Sequence, residues 1–256
     1  MTFCLGMRCE EGLLAIADTR ITSGTEVSEA KKISIHQYDQ HSMFILTSGL
    51  RSIRDKAVTY FEERLLRSQV PLNRMYEAAN ALAEEIRRVR TEDKAWLVDG
   101  GLAFDLHCLF GGQLAGDDEA RLYLIYPEGN WVEVRAATPY AIIGESRYGK
   151  PILDRVWQHT DTLEEALQVG MLAFDATRTS ASDVDAPVDT VLYRKGAFEL
   201  REHRYGRDDL EPLRRTWQEA IEAGVTATRP AAEQLFAKLD AAPLAQTHYD
   251  DASAGA

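Results

Sequence analysis

The sequence predicts an α+β protein in which antiparallel sheets are sandwiched between helix layers. Short apolar segments of strand length come in runs, separated by tight-turn signals. Segments with helical spacing come in consecutive pairs, so the order is strands, two helices, strands, two helices, strands. Single helices alternating with single strands would point to a doubly wound parallel sheet; runs of strands and paired helices point to stacked antiparallel layers.

The first strand, Phe3 to Arg8, is short and apolar, and a Glu10-Glu11-Gly12 turn joins it to Leu13 to Asp18 as a hairpin. Lys32 to Tyr38 alternates, and Ser42 to Thr47 is apolar, so four strands precede any helix. The first helix is expected over Leu50 to Ser68, with Ile53, Ala57, Tyr60, Phe61 and Leu65 on one face. Pro71 breaks the pattern. The second helix is expected over Leu72 to Arg90, one side apolar and the other carrying Glu84, Glu85, Arg87, Arg88 and Arg90 toward water. Gly100-Gly101 opens the next strands: Leu102 to Phe110, ended by Gly111-Gly112, then Ala120 to Tyr126, Trp131 to Arg135 and Tyr140 to Gly144. Helices come next near Tyr148 to Gln158 and over Leu163 to Arg178, the latter capped at Asp161-Thr162. Val188 to Arg194 and Phe198 to His203 meet at the Lys195-Gly196 turn, and a last helix runs from Asp208 to about Ala223. Residues 206–225 thus read as a helical extension. Residues 226–256 turn to Ala, Pro, Asp and Thr and read as a mobile tail, with a short helical stretch at Ala231 to Leu239.

A chain of 256 residues with 45% hydrophobic and 27% charged residues is an ordinary globular composition. Lys and Arg total 29 against 41 Asp and Glu, a net charge of -12, which repels phosphate backbones and argues against a nucleic-acid partner. No apolar run approaches the roughly 20 residues that span a bilayer, and the N-terminus lacks the basic and apolar regions of a signal peptide. The three cysteines, Cys4, Cys9 and Cys108, follow no metal spacing and fit free buried thiols in a reducing, cytoplasmic setting. Neither a metal nor a cofactor is called for. His107 and Cys108 are adjacent and would point to opposite faces of a strand. The loop carboxylates Asp183 and Asp185 make a poor cation cage. Asp117-Asp118-Glu119 reads as a solvated hairpin tip.

The N-terminus carries chemistry of its own. Thr2 comes directly after Met1, and methionine aminopeptidase removes Met before small residues. A free N-terminal Thr holds a hydroxyl nucleophile and an α-amine on one residue. The amine has an ordinary pKa of about 7.7–8.0, and a neighbouring cation lowers it toward a usable base. Many unrelated chains begin Met-Thr, so the pattern downstream decides whether Thr2 is a nucleophile. It reads Thr2-x3-Gly6-x5-Gly12-x5-Asp18-x-Arg20, then Lys31-Lys32-Ile33, then Thr47-Ser48-Gly49-Leu50.

With these motifs the sequence resembles the proteasome β-subunit family of N-terminal-nucleophile (Ntn) hydrolases. Within it, the sequence is most similar to the bacterial ancestral-β-subunit (Anbu) type, over roughly residues 2 to 205. The resemblance implies a four-layer αββα sandwich. It implies that Thr2 Oγ attacks the carbonyl while its amine, through a water, carries the proton to the leaving amine. Lys32 supplies the positive charge near Thr2, Asp18 holds Lys32, and the Gly49 N–H stabilises the oxyanion. Gly144-Glu145-Ser146 resembles the family's turn before the third helix. This makes Ser146 the hydroxyl that meets the Thr2 amine, with Glu145 an addition to the pattern. The family places an Asp, and three residues later a Ser, after the fourth helix; this chain has Ser180 and Asp183 there, the two types exchanged. The resemblance further implies a homo-oligomer, a ring or short helical stack, acting on peptides or unfolded protein. Two other readings stand beside it: an Ntn hydrolase of a small amide, and a non-catalytic assembly or binding protein, the latter motivated by the Ser180/Asp183 exchange. Without the pattern, Asp18 would be a turn cap, Gly49 a helix-entry residue, and Lys31-Lys32 a solvated strand edge.

Overall fold

The computed structural model describes residues 2–23, 26–67 and 72–243. Its first half contains β1 (Phe3–Cys9), β2 (Gly12–Asp18), β3 (Arg20–Ser23), β4 (Glu26–Glu29), β5 (Ile33–Tyr38), β6 (His41–Gly49), α1 (Arg51–Arg67) and α2 (Met75–Asp99). Next come β7 (Leu106–Leu114), β8 (Arg121–Ile125), β9 (Trp131–Glu133), β10 (Tyr140–Gly144), α3 (Lys150–Val156) and α4 (Leu163–Ser180). The chain closes with β11 (Val188–Arg194), β12 (Leu200–Tyr205), α5 (Arg207–Ala227) and α6 (Arg229–Asp240).

Two five-stranded antiparallel sheets form, in the orders β10-β1-β2-β11-β12 and β5-β6-β7-β8-β9. They face each other through β1 and β10 on one side and β6 and β7 on the other. Helices α1 and α2 lie on the second sheet, α3 and α4 on the first, which makes the four-layer αββα sandwich of the Ntn-hydrolase fold. One core cluster lies between α1/α2 and the second sheet, with Ile53, Phe61, Leu82 and Phe110. Another fills the space between the sheets, with Leu13, Phe44, Leu109 and Tyr193. Because β1 and β2 are covered on both faces, every residue in them is buried, and their sequences are apolar runs without alternation.

Several boundaries differ from the sequence expectation. Six strands, not four, precede the first helix, because β3 and β4 pair as a separate two-stranded ribbon, Arg20 opposite Glu29 and Ile21 opposite Ser28. The second helix starts at Met75, not Leu72, because the Glu77 carboxylate accepts the backbone N–H groups of Asn73 (2.9 Å) and Arg74 (3.1 Å). It continues to Asp99, not Arg90, since no Gly or Pro intervenes and Lys56 of α1 pairs with both Glu92 and Asp93 at 2.7 Å. The next strand begins at Leu106, not Leu102, and runs through Gly111-Gly112 to Leu114. Those glycines lie inside the strand because there is no room for a side chain. A Cβ on Gly111 would fall 2.4 Å from the Phe44 ring, and one on Gly112 (φ +152°) 2.0 Å from the Ser42 carbonyl oxygen. Asp117 is not a solvated tip: its carboxylate accepts the N–H groups of Met75 (2.8 Å) and Leu114 (3.0 Å). Nor is Glu119, which pairs with the buried Arg8 at 3.0 Å.

The chain divides into two compact units, Met1–Glu211 and Pro212–Ala256, slightly beyond the boundary expected at residue 205. The helical stretch expected at Ala231 to Leu239 is α6, Arg229–Asp240, while α5 runs on to Ala227, past the expected end near Ala223, with a break between the two helices. The rest of the expected tail, residues 244–256, lies outside the described residues. Among the described residues no helix is long and apolar enough to cross a membrane.

Candidate active site

The site is assembled where the two sheets end together. Thr2 immediately precedes β1, and its carbonyl oxygen accepts the Glu145 N–H at 2.7 Å. β10 is held against Thr2 by Gly144 (φ +84°), where a Cβ would fall 1.9 Å from the Thr2 oxygen. Asp18, the last residue of β2, is fully buried. Its Oδ1 accepts the Phe3 N–H at 2.8 Å and the Lys32 ammonium at 2.7 Å. Lys32, just before β5 and 5% exposed, also donates to the Arg20 carbonyl at 2.7 Å. An ammonium has three N–H bonds, so the Asp18 and Arg20 contacts hold its head with one left over among the described residues. Burial pushes the Asp18 carboxyl upward, while the Lys32 charge and the Phe3 N–H pull it back. Asp18 Oδ2 is buried with no partner among the described residues.

Gly49 ends β6. The Leu50 N–H bonds to the Asp105 carbonyl (3.1 Å) on the β7 side, and the Thr47 N–H bonds to the Lys32 carbonyl (3.3 Å) on the β5 side. Strand N–H groups alternate between neighbours, so the Gly49 N–H points to the β5 side, one rung beyond the Thr47–Lys32 pair. No β5 residue reaches that rung, because β5 begins at Ile33. Gly49 has φ +130°, and a Cβ there would lie 2.0 Å from the Asp105 oxygen, so the backbone takes this course only with glycine.

Thr2, Lys32 and Gly49 line one cleft of about 530 Å³, together with Arg20, Ile21, Thr47, Ser48, Leu50, Arg51, Arg54, Asp105 and Gly144. Asp18 lies beneath it. Ser146, two residues past Gly144, is half-buried; Ser180 ends α4, exposed; Asp183 is half-buried in the loop between α4 and β11. None of these three lines the cleft. Glu145 is 3% exposed and clasped by Arg147 through two bonds of 2.9 and 2.6 Å, which holds its carboxyl below the usual range. The sequence left the roles of Arg20, Thr47, Ser48 and Asp185 unread. Arg20 pairs with Asp185 at 3.2 Å, and Asp185 also pairs with Arg207 at 2.5 Å. The first three of these residues sat in the motifs already singled out, whereas Asp185 was read only as a loop carboxylate, and nothing local pointed to its partner Arg20, 165 residues away. Among the described residues, no cluster of His, Cys, Asp and Glu could hold a metal ion.

A model of the proteasome subunit family matches residues 2–186. Among solved structures, an Anbu mutant from Hyphomicrobium sp. strain MC1 is 33% identical with a TM-score of 0.81, covering 88% of this chain and 97% of its own. Anbu from Yersinia bercovieri is 31% identical, TM-score 0.81, over 88% of this chain and 96% of its own. The Pseudomonas aeruginosa Anbu complex, described as a helical assembly, is 27% identical, TM-score 0.83, over 88% and 96%. Comparison with curated proteins gives no match.

Proposed function

The chain belongs to the proteasome subunit family, in its Anbu branch, and on that premise we propose that it is a threonine peptidase whose nucleophile is Thr2 after loss of Met1. The observation that carries this reading is the buried Asp18–Lys32 pair, whose carboxylate also holds the N–H of Phe3, next to the nucleophile. That pair fixes a cation and the start of β1 against each other.

In the reaction, Thr2 Oγ attacks the carbonyl carbon of the peptide bond, and its proton passes through a water to the Thr2 amine. The Lys32 charge favours the unprotonated amine. The Gly49 N–H receives the developing oxyanion. The carbon–nitrogen bond then breaks as the proton goes to the leaving amine, and water hydrolyses the ester to release the acid and regenerate Thr2. The family resemblance assigns Ser146, Ser180 and Asp183 to the amine's proton network, although none of them lines the cleft. The same reading includes self-association as a ring or helical stack. Support comes from the assembly described for the Pseudomonas relative and from Ile221, Val225, Leu235, Phe236 and Leu239, all exposed in the second unit.

Intact mass spectrometry before and after treatment with a peptide epoxyketone tests the mechanism. Loss of Met1 and one adduct, absent in Thr2→Ala, is the expected result. Retention of Met1 in active material would overturn it.

A further inference from the structure

The chain is acidic overall, with a net charge of -12, yet the cleft around Thr2 is not. Among the described residues, its lining carries Arg20, Lys32, Arg51 and Arg54 against one carboxylate, Asp105. The acids that pair with these cations stand behind them: Asp18 on Lys32, Asp185 on Arg20, and Asp55 on Arg51 (3.4 Å) and Arg54 (2.6 Å). None of those three carboxylates lines the cleft. A guanidinium has five N–H donors, so one carboxylate behind it leaves donors for a ligand in front.

Among the described residues, two further groups have nothing to bond. Arg20 Nε, which can only donate, is buried without a partner. The Thr47 hydroxyl, on a residue 4% exposed that lines the cleft, is buried without a partner too. Buried polar groups are nearly always satisfied, and a vacant donor in a cleft marks what a ligand would bring. Helix α1 also begins at the cleft, at Arg51, with no acidic residue in its first turn to meet its N-terminal amides. The excess of cations, the vacant Arg20 donor and the helix start favour an anion, and the Thr47 hydroxyl can donate to one.

We propose that the cleft selects peptides with a glutamate or aspartate on the acyl side of the bond cut, its carboxylate received by Arg20, Arg51, Arg54 and the Thr47 hydroxyl. The selection rests on the threonine-peptidase reading, since Thr2 and Gly49 in the same cleft place the attacked carbonyl. Lys32, whose head is held by Asp18 and the Arg20 carbonyl, is kept for the Thr2 amine and is not part of the carboxylate site.

The test compares kcat/KM for coumarin amides of one tripeptide ending in Glu, Gln or Lys, on the full chain after Met1 loss. Glu is expected at least 10-fold above Gln and 100-fold above Lys at low salt, with the advantage shrinking several-fold in 0.5 M NaCl. In Arg51→Glu/Arg54→Glu the Glu-to-Lys ratio is expected to invert. A Glu-to-Gln ratio at or below one, or a ratio indifferent to salt and to the substitutions, overturns the proposal. If wild type turns over no peptide and Thr2 takes no probe, the peptidase reading has failed separately. Selectivity is then measured as binding of rhodamine-labelled octapeptides with a central Glu, Gln or Lys to Thr2→Ala. Tighter binding of the Glu peptide supports the charge selection. Equal affinities, no binding, or binding that tracks only the peptide's C-terminal carboxylate overturn it.

Discussion

Asp18 holds two donors on one oxygen while its other oxygen has no partner among the described residues. Its removal therefore acts on two things at once: the charge balance of Lys32 and the placement of β1 beside Thr2. Asp18→Asn leaves a buried ammonium facing a neutral amide, and breaking one side of a buried pair costs about 3–5 kcal/mol. Denaturant unfolding should show Asp18→Asn less stable than the double variant Asp18→Asn/Lys32→Met, in which the stranded charge is gone. A second residue sets an acid limit. His36 is 9% exposed, and burial lowers its pKa to about 4. Between the unfolded value near 6.5 and that folded value, the unfolded chain binds the proton and the folded chain does not. Stability should fall as pH drops from about 6.5 to 4, by up to about 3 kcal/mol from this group. Melting curves across that range should flatten in His36→Gln. Asp18, Lys32 and Gly49 were singled out through the family resemblance of the first fifty residues, and the structure brings Lys32 and Gly49 into one cleft with Asp18 bonded to Lys32. The Arg20–Asp185 pair and the vacant Thr47 hydroxyl were not legible, because they depend on how distant segments meet.

Among the elements, β7 shows why glycine misleads a reader of sequence. Gly111-Gly112 looks like a turn, and glycine does punctuate turns, but it also permits close approach of a neighbouring ring or carbonyl. Gly112→Ala would drive a Cβ to within 2.0 Å of the Ser42 oxygen in a left-handed backbone conformation. A loss of roughly 2–4 kcal/mol is expected, read as a lower midpoint in thermal unfolding. At the start of α4, Thr162 accepts the Glu165 N–H at 3.2 Å and the Glu165 carboxylate accepts the Thr162 N–H at 2.8 Å. Thr162→Ala should cost about 1 kcal/mol. That cap was readable, since its chemistry is local. The β3–β4 ribbon was not: four-residue strands of mostly polar sequence carry no periodicity, and only the chain's path past Asp18 pairs them. The long apolar strands and paired helices were legible because burial on defined faces writes itself into residue spacing.

In the whole molecule, both core clusters described for the sandwich fall within Met1–Glu211. A chain ending at Glu211 should therefore keep the main unfolding transition. If the second unit's exposed apolar residues serve self-association, light scattering should show that chain at lower mass than the full protein; equal mass would assign assembly to the sandwich. One last property belongs to the molecule as a whole. All three cysteines are buried and unpaired, and burial raises each thiol, Cys108 to about 12. Thiolate is the reactive form, so the native chain should ignore iodoacetamide. Alkylation then becomes a clock for opening: Cys4 and Cys9 time the first sheet from β1, and Cys108 times the second from β7. Equal rates would mean that the sandwich opens as one body, and unequal rates would show which of its leaves parts first.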